Sequence, residues 1–485
     1  MKNKFFRMGL AALVGSAALG FAAPAANAAA TFVIVNIDGA GEGFNDPTAV
    51  APVGGNPGTT IGQQRLNVFQ AAANVWGATL TSSVTIQIRA AFNPLTCTAT
   101  SAVLGSAGAR WVDNDFAPGI KPGTLYPGAL ANKYVGFDEV PTEAEINAQF
   151  NSNLGQPGCL TGVPFYYGLD NNHGTNIDLF TVLLHEFGHG LGFQTFTDAS
   201  TGAPFAGFPS IWDHYLKDQT LGKTWVAMTN AERAFSATNN GKLVWTGAGV
   251  TTALPGVLSL GVPQLSVGGP ASGGTAGVYA VGTGAFGTLT SPGVTSDIMP
   301  IANDPIPPGS PPGTLPAQGC VPFTALNALA VKGNVALIDR GTCAFTLKAK
   351  NAQNAGAVGV IIANNAAGAP PPGMGGTDPT IVIPVALITQ GDANLIRSAL
   401  THRSRTKSGV SGTLSLNTTR YAGADPSGFA LLYAPVPFSG GSSVSHFDVS
   451  ATRNLLMEPA INVDLTHSVV VPQDLTFELL KDIGW

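Results

Sequence analysis

The stretch Asn176-Ile-Asp-Leu-Phe-Thr-Val-Leu-Leu-His185-Glu186-Phe-Gly-His189-Gly-Leu-Gly192 decides the reading of this chain. Phe180, Val182, Leu183, Leu184 and Phe187 supply apolar faces at helical spacing. Thr175 or Asn176 is the expected N-cap, Asp178 falls in the first turn, and glycines at 188, 190 and 192 are expected to end the helix. Within it, His185-Glu186-Phe187-Gly188-His189 has the form H-E-x-x-H. Residues four apart share one helical face, so both imidazoles can reach one Zn²⁺, with Glu186 beside them as the general base. Zinc brings the pKa of a bound water near 7 and polarises a carbonyl, the chemistry of peptide hydrolysis. Two histidines and a glutamate on an otherwise apolar helix also need compensation by pairing or by a metal.

A catalytic zinc needs a third protein ligand and an open position. The run from His185 to Phe193 resembles the metzincin helix, in which a His or Asp ligand follows shortly. Thr195 stands at that position here, a departure from the pattern. Asp198 and His214 lie just beyond, and Glu232 would serve if the chain resembled the thermolysin-like group. A later segment, Val444-Ser-His446-Phe-Asp-Val-Ser-Ala-Thr-Arg-Asn-Leu-Leu-Met457-Glu-Pro459, resembles the corresponding end of leishmanolysin-like metzincins, and the resemblance continues through 474–485. It implies His446 as the third ligand and Met457 as the turn methionine beneath the metal. Met457 also suits plain core filling, since methionine fits irregular gaps. Met299 is a rival turn with no histidine shortly before it.

A second resemblance lies between the two halves of this site. Gly333-Asn-Val-Ala-Leu-Ile-Asp-Arg340-Gly341-Thr-Cys343-Ala-Phe345, then Lys348, Asn351-Ala-Gln-Asn-Ala-Gly356, Asn364-Asn365 and Ile383-Pro-Val-Ala-Leu-Ile388 are similar to the protease-associated (PA) domain. That resemblance implies a β-rich module without catalytic residues, acting as a lid or a docking surface. The expected fold class is therefore α+β: a metzincin-like zinc peptidase, twisted sheet plus active-site helix, with an inserted β-rich PA domain. The expected divisions are 1–28 export signal, 29–255 and 423–485 peptidase, and 256–422 insertion with a PA core at 320–400.

Other elements are placed by pattern. Thr31–Ile37 and Ser83–Arg89 read as strands, Gln63–Leu80 as a helix, and a short helix is expected from Pro141-Thr142. Gly247–Gly319 reads as irregular β structure and linker. Strands are expected at Asn334–Asp339, Ala357–Ala363 and Thr380–Leu387, and helices at Phe345–Ala355 and within 474–485.

The N-terminus reads as an export signal: Lys2, Lys4 and Arg7, an apolar run from Met8 to Ala23, then Ala26-Asn27-Ala28. The run is shorter than the ~20 residues that span a bilayer. The mature chain is thus expected outside the cell or in a periplasm, free of the membrane. No long propeptide separates the expected cleavage site from the first strand. Four cysteines in an exported chain favour two disulfides, Cys320–Cys343 and Cys97–Cys159, with Cys97 as an inhibitory zinc thiolate the alternative. Of 485 residues only 11% are charged, the formal net charge is −5, and no Lys/Arg stripe occurs, which argues against nucleic acid as a partner. Gly (61) and Pro (35) are abundant, but 45% apolar residues speak against general disorder.

The sequence reading is a secreted zinc endopeptidase acting on proteins or peptides with one catalytic Zn²⁺; calcium is left open. The alternative is an exported binding or adhesion protein with a non-catalytic metal site, using the PA domain for partners. An aminopeptidase is a further rival, opposed by the lack of an acidic cluster for two metals near the helix.

Overall fold

The computed structural model describes residues 29–302, 305, 308 and 315–485. The expected export signal, 1–28, lies outside the described residues. No helix among those described is long and apolar enough to cross a membrane.

The first sheet is built from β1 (Phe32–Asn36), β2 (Ile86–Asn93), β3 (Gly105–Ala109) and β4 (Ile146–Asn151), in the order β1-β2-β4-β3. β1, β2 and β4 run parallel, and β3 pairs antiparallel with β4 at the edge. Helix α1 (Ile61–Thr79) starts at Thr60, whose side chain accepts from Gln63 N. It buries Val68, Phe69, Ala72, Ala73 and Trp76, a 3.6-residue stripe. Phe69 meets Phe44, Phe92, Phe150 and Phe187 in edge-on and tilted contacts, joining α1 to the sheet and to the helix that carries the histidines. Trp76 Nε1 donates to Leu184 O at 3.2 Å, fixing the two helices to each other.

The helix expected from Pro141-Thr142 is absent; α2 (Gly128–Val135) forms upstream instead. The two glutamates meant to favour a first turn are used elsewhere. Glu143 pairs with Arg110, and the buried Glu145 accepts from Gln87 N and Asn132 Nδ2. That leads the chain straight into β4.

The second large sheet has seven strands. In chain order they are β5 (Leu260–Gly268), β6 (Gly277–Ala280), β7 (Val294–Pro300), β8 (Val335–Asp339), β9 (Gly359–Ala363), β10 (Val385–Ile388) and β11 (Ser411–Tyr421). Their spatial order is β6-β5-β11-β7-β8-β9-β10. Pairing is antiparallel from β6 to β7 and parallel from β7 to β10. The stretch expected as irregular β structure and linker is β-rich but more regular than expected: β5, β6 and β7 all lie in it, organised by the long strand β11. Met299 sits in β7, fully buried, as packing. The strand expected from Thr380 begins only at Val385, because Asp378 accepts from Thr380 N in a turn and Pro384 has no N–H to pair. Side chains alternate across the sheet: Val335 and Leu337 join one core, Ala336 and Ile338 the other. Helices α4 (Ala325–Val331), α5 (Phe345–Asn354) and α6 (Gln390–Ala399) cover it.

One core unites residues from Ala30 to Leu258 with residues from Ala424 to Ile483. The closing element is α7 (Thr476–Ile483). Its Asp482 accepts from Trp245 Nε1 and Gly249 N, and the terminal Trp485 donates its indole N–H to Leu191 O at 2.7 Å. The segments on either side of the seven-stranded sheet thus pack as one body.

The cysteines form two disulfides, Cys97–Cys159 and Cys320–Cys343, with sequence separations of 62 and 23 residues, and no described cysteine is free. Chain-entropy arguments put their worth at about 4 and about 3 kcal/mol. Replacing either pair by serines is expected to lower stability in urea by that order. A loss under about 1 kcal/mol would show a denatured state already restricted without the bond.

Candidate metal centre

Helix α3 (Leu179–Gly190) carries His185, Glu186 and His189, all buried. It starts later than expected, because Ile177 and Asp178 pair with Phe165 and Tyr166 as a short parallel bridge. Asp178 is therefore the N-cap, accepting from Thr181 N at 3.1 Å and Thr181 Oγ1 at 2.6 Å. His467 Nε2 adds a 2.7 Å contact to the same oxygen, and its ring stacks on Phe180 at 3.9 Å. The helix runs through Gly188 and Gly190, ending ahead of Gly192 at φ +116°. At Gly188 the reason is close approach: a Cβ there would lie 3.0 Å from Met457 Sδ. Met457, fully buried, thus sits against the helix at Gly188, the residue just before His189.

His446 comes from the far end of the chain. Its Nε2 lies 3.2 Å from that of His189 and 3.3 Å from that of His185, and the helical pair are 3.1 Å apart. Each ring is held from behind through Nδ1: His185 by Leu456 O at 2.7 Å, His189 by Phe193 O at 2.7 Å, His446 by Ser442 O at 2.8 Å. A carbonyl can only accept, so every Nδ1 carries the proton and every Nε2 presents a lone pair. Burial lowers the pKa of His185 to about 4 and of His189 to about 3, and holds His446 well below its ordinary value. Three neutral imidazoles therefore aim three lone pairs at one point, an arrangement that repels itself without a cation between them. Nitrogens about 2.0–2.1 Å from one zinc at tetrahedral angles stand roughly 3.3 Å apart, so the donor set fits Zn²⁺ in chemistry and spacing. The carbonyl behind each ring is the outer support that metal-binding histidines use. No other group of three His, Cys, Asp or Glu among the described residues converges in this way.

The rival third ligands stand apart. Thr195 donates to Asp213 at 2.6 Å. Asp198 is exposed and bonded to Ser200, His214 contacts Thr124 Oγ1, and Glu232 caps its own helix and pairs with Lys223. Cys97 is in a disulfide, which closes the thiolate alternative.

Glu186 lies in the wall of a cleft of about 990 Å³ that also reaches all three histidines, the strand β3, Gln194, Thr195 and the loop around Ser442. Burial raises its carboxyl to about 8, countered in part by the Ala107 N–H. A cation beside it acts in the opposite direction. Sequence reasoning missed Asp213, a buried carboxyl outside the cleft lining that accepts from Ser210 and from Thr195 and Thr197, two residues of the cleft wall. It also missed the backbone carbonyls behind the rings, which have no side-chain signature.

Asp178 gives this helix a pH dependence. Burial alone would raise its pKa, but bonds from His467 and Thr181 outweigh it and hold it below the ordinary value. A depressed carboxylate contributes stability above its unfolded pKa of about 3.9, lost as pH falls through the folded one. The stability gap between wild type and Asp178→Asn, read by denaturant titration from pH 6 downward, is expected to narrow below about pH 4. A constant gap would show that the cap carries no net charge effect.

Residues 303–396 match the PA domain family. This chain carries a PA domain. Segments of 47 and 93 residues are 53% and 32% identical to ER degradation-enhancing alpha-mannosidase-like protein 3 of Homo sapiens and Xenopus laevis, over 10% and 18% of this chain. The matched segments make up only 5% and 10% of those proteins. Among solved structures, a zinc aminopeptidase from Bacillus subtilis aligns over 36% of this chain and 36% of its own, at 21% identity and a TM-score of 0.23. An aminopeptidase from Aneurinibacillus sp. strain AM-1 aligns over 33% and 31%, at 18% identity and 0.24. Likeness this slight carries no argument about the fold or activity of this chain.

Proposed function

We propose that this chain is an exported zinc endopeptidase of metzincin-like build, in which 29–255 and 423–485 form the peptidase and 256–422 the insertion bearing the PA domain. The observation that carries the reading is the convergence of three buried, proton-free Nε2 atoms in a cleft that the carboxyl of Glu186 also lines. His185, His189 and His446 hold one zinc. Zinc held there acidifies a water and polarises the carbonyl under attack. Glu186 takes the proton released and returns it to the leaving amine. Met457 and Leu456 form the turn beneath the site: the sulfur packs on Gly188 and the Leu456 carbonyl orients His185.

The outer edge of β3 has no strand partner in its sheet and lines the cleft. An extended substrate can add to it as a further strand, taking main-chain hydrogen bonds that do not depend on side-chain identity. That supports a protein substrate cut at internal bonds. Mass spectrometry of the products from an unfolded protein tests this part. Fragments from internal cleavage are expected, whereas stepwise release of N-terminal residues would replace the endopeptidase by an aminopeptidase.

A further inference from the structure

Two of the three imidazoles ride on one rigid helix, while His446 arrives 257 residues after His189 on a loop. The loop closes on itself: Tyr433 N donates to His446 O at 2.9 Å and Val444 N to Tyr433 O at 2.8 Å. Ser442 N and Ser443 N donate to Ser439 O, and Ser442 O then receives the His446 Nδ1 proton. Its outer limb is held from the inserted domain. Val436 and Ala369 exchange two backbone hydrogen bonds, each 2.8 Å, as an isolated antiparallel bridge. Ala369 lies on the loop that leaves β9, where Arg340 Nη1 donates to Asn364 Oδ1 at 2.9 Å. Gly368, at φ +130°, sits so close that a Cβ there would lie 2.7 Å from Val436 O.

The inserted domain holds the same segment a second time, on the other side of His446. Ser259 N, just ahead of β5, donates to Thr452 O, and Ala422 N, just after β11, donates to Ser259 O at 3.0 Å. Thr452 stands between His446 and Met457. By contrast, none of the described residues lining the cleft belongs to 260–421. The inserted domain therefore grips the segment that delivers the third imidazole, while none of its described residues from 260 to 421 walls the cleft.

We propose that the PA domain acts as a positioning clamp for His446, with Gly368, Ala369 and Val436 as the strap that sets how firmly the metal is held. This rests on the zinc-site reading above. Loosening the strap leaves His185 and His189 in place on α3 and frees the loop that presents the third donor. Removing support behind a metal ligand typically costs 10–100-fold in metal affinity.

The test uses the full-length mature chain loaded with zinc, and follows transfer of zinc to a chromogenic chelator. Gly368→Val forces the strap apart, and Val436→Pro removes its N–H from the peptidase side. Val382→Ser, at a PA-domain residue 81% exposed, is the control. Both strap variants are expected to release zinc about 10- to 100-fold faster than wild type, with the melting temperature of their zinc-free forms unchanged and Val382→Ser at the wild-type rate. Their cobalt-substituted forms are expected to show altered visible absorption, which a general loss of stability would not produce in folded protein. If one variant fails to fold, the other decides. Wild-type release from a folded strap variant would overturn the clamp while leaving the zinc site intact. A wild-type chain that takes up no zinc would overturn the site itself, and the clamp with it.

Discussion

His446→Ala is expected to lower zinc affinity by more than ~100-fold, since loss of a direct ligand exceeds the 10–100-fold typical of losing outer support. The reason lies in the geometry. With His446 gone, two Nε2 atoms 3.1 Å apart remain on α3, and the Ser442 carbonyl loses the proton it accepts. No other described histidine, cysteine, aspartate or glutamate joins the three-histidine cluster: Asp198, His214 and Glu232 are engaged elsewhere and Cys97 is oxidised. The fold should survive, because removing a buried imidazole relieves three lone pairs crowded at one point. Competition with a chelator of known affinity measures the change. Retention of zinc at wild-type affinity would contradict the assignment of His446 and reopen the search for the third donor.

Glu186→Gln is expected to cut kcat by about 10²–10⁴-fold, the usual worth of a positioned acid–base group, with zinc content unchanged. Glutamine keeps the size of the side chain and an oxygen able to accept from the Ala107 N–H. What it loses is the ability to take a proton. A structural zinc site has no use for that ability. Activity within a few-fold of wild type would remove Glu186 from the proposed chemistry and favour a role for the site in binding alone.

Helix α3 and its pair of facing histidines were legible because a four-residue spacing is local: periodicity alone puts His185 and His189 on one face. The central strands of the PA domain were legible as short continuous apolar runs, because both faces of Val335 to Ile338 are buried between two cores. What brings His446 to them is long-range, and no local pattern carries it; a family resemblance pointed to it. The helix expected near 141 failed because Glu143 and Glu145 suit a first turn as well as they suit Arg110 and the Asn132 amide, and tertiary partners won. The cap was misplaced because Asp178 serves both a strand bridge and the helix start. The strap at Ala369 and Val436 uses backbone groups only, so nothing in the residue types announces it.

The account turns on whether hydrolysis depends on a metal held by these three histidines. The direct measurement is cleavage of an unfolded protein by the purified mature chain as zinc is removed by a chelator and then restored in steps. Cleavage that disappears with the metal and returns in proportion to zinc bound, reaching its plateau at one equivalent, is the predicted result. A chain carrying one zinc that cleaves nothing, or cleavage that continues after the metal is gone, would contradict it.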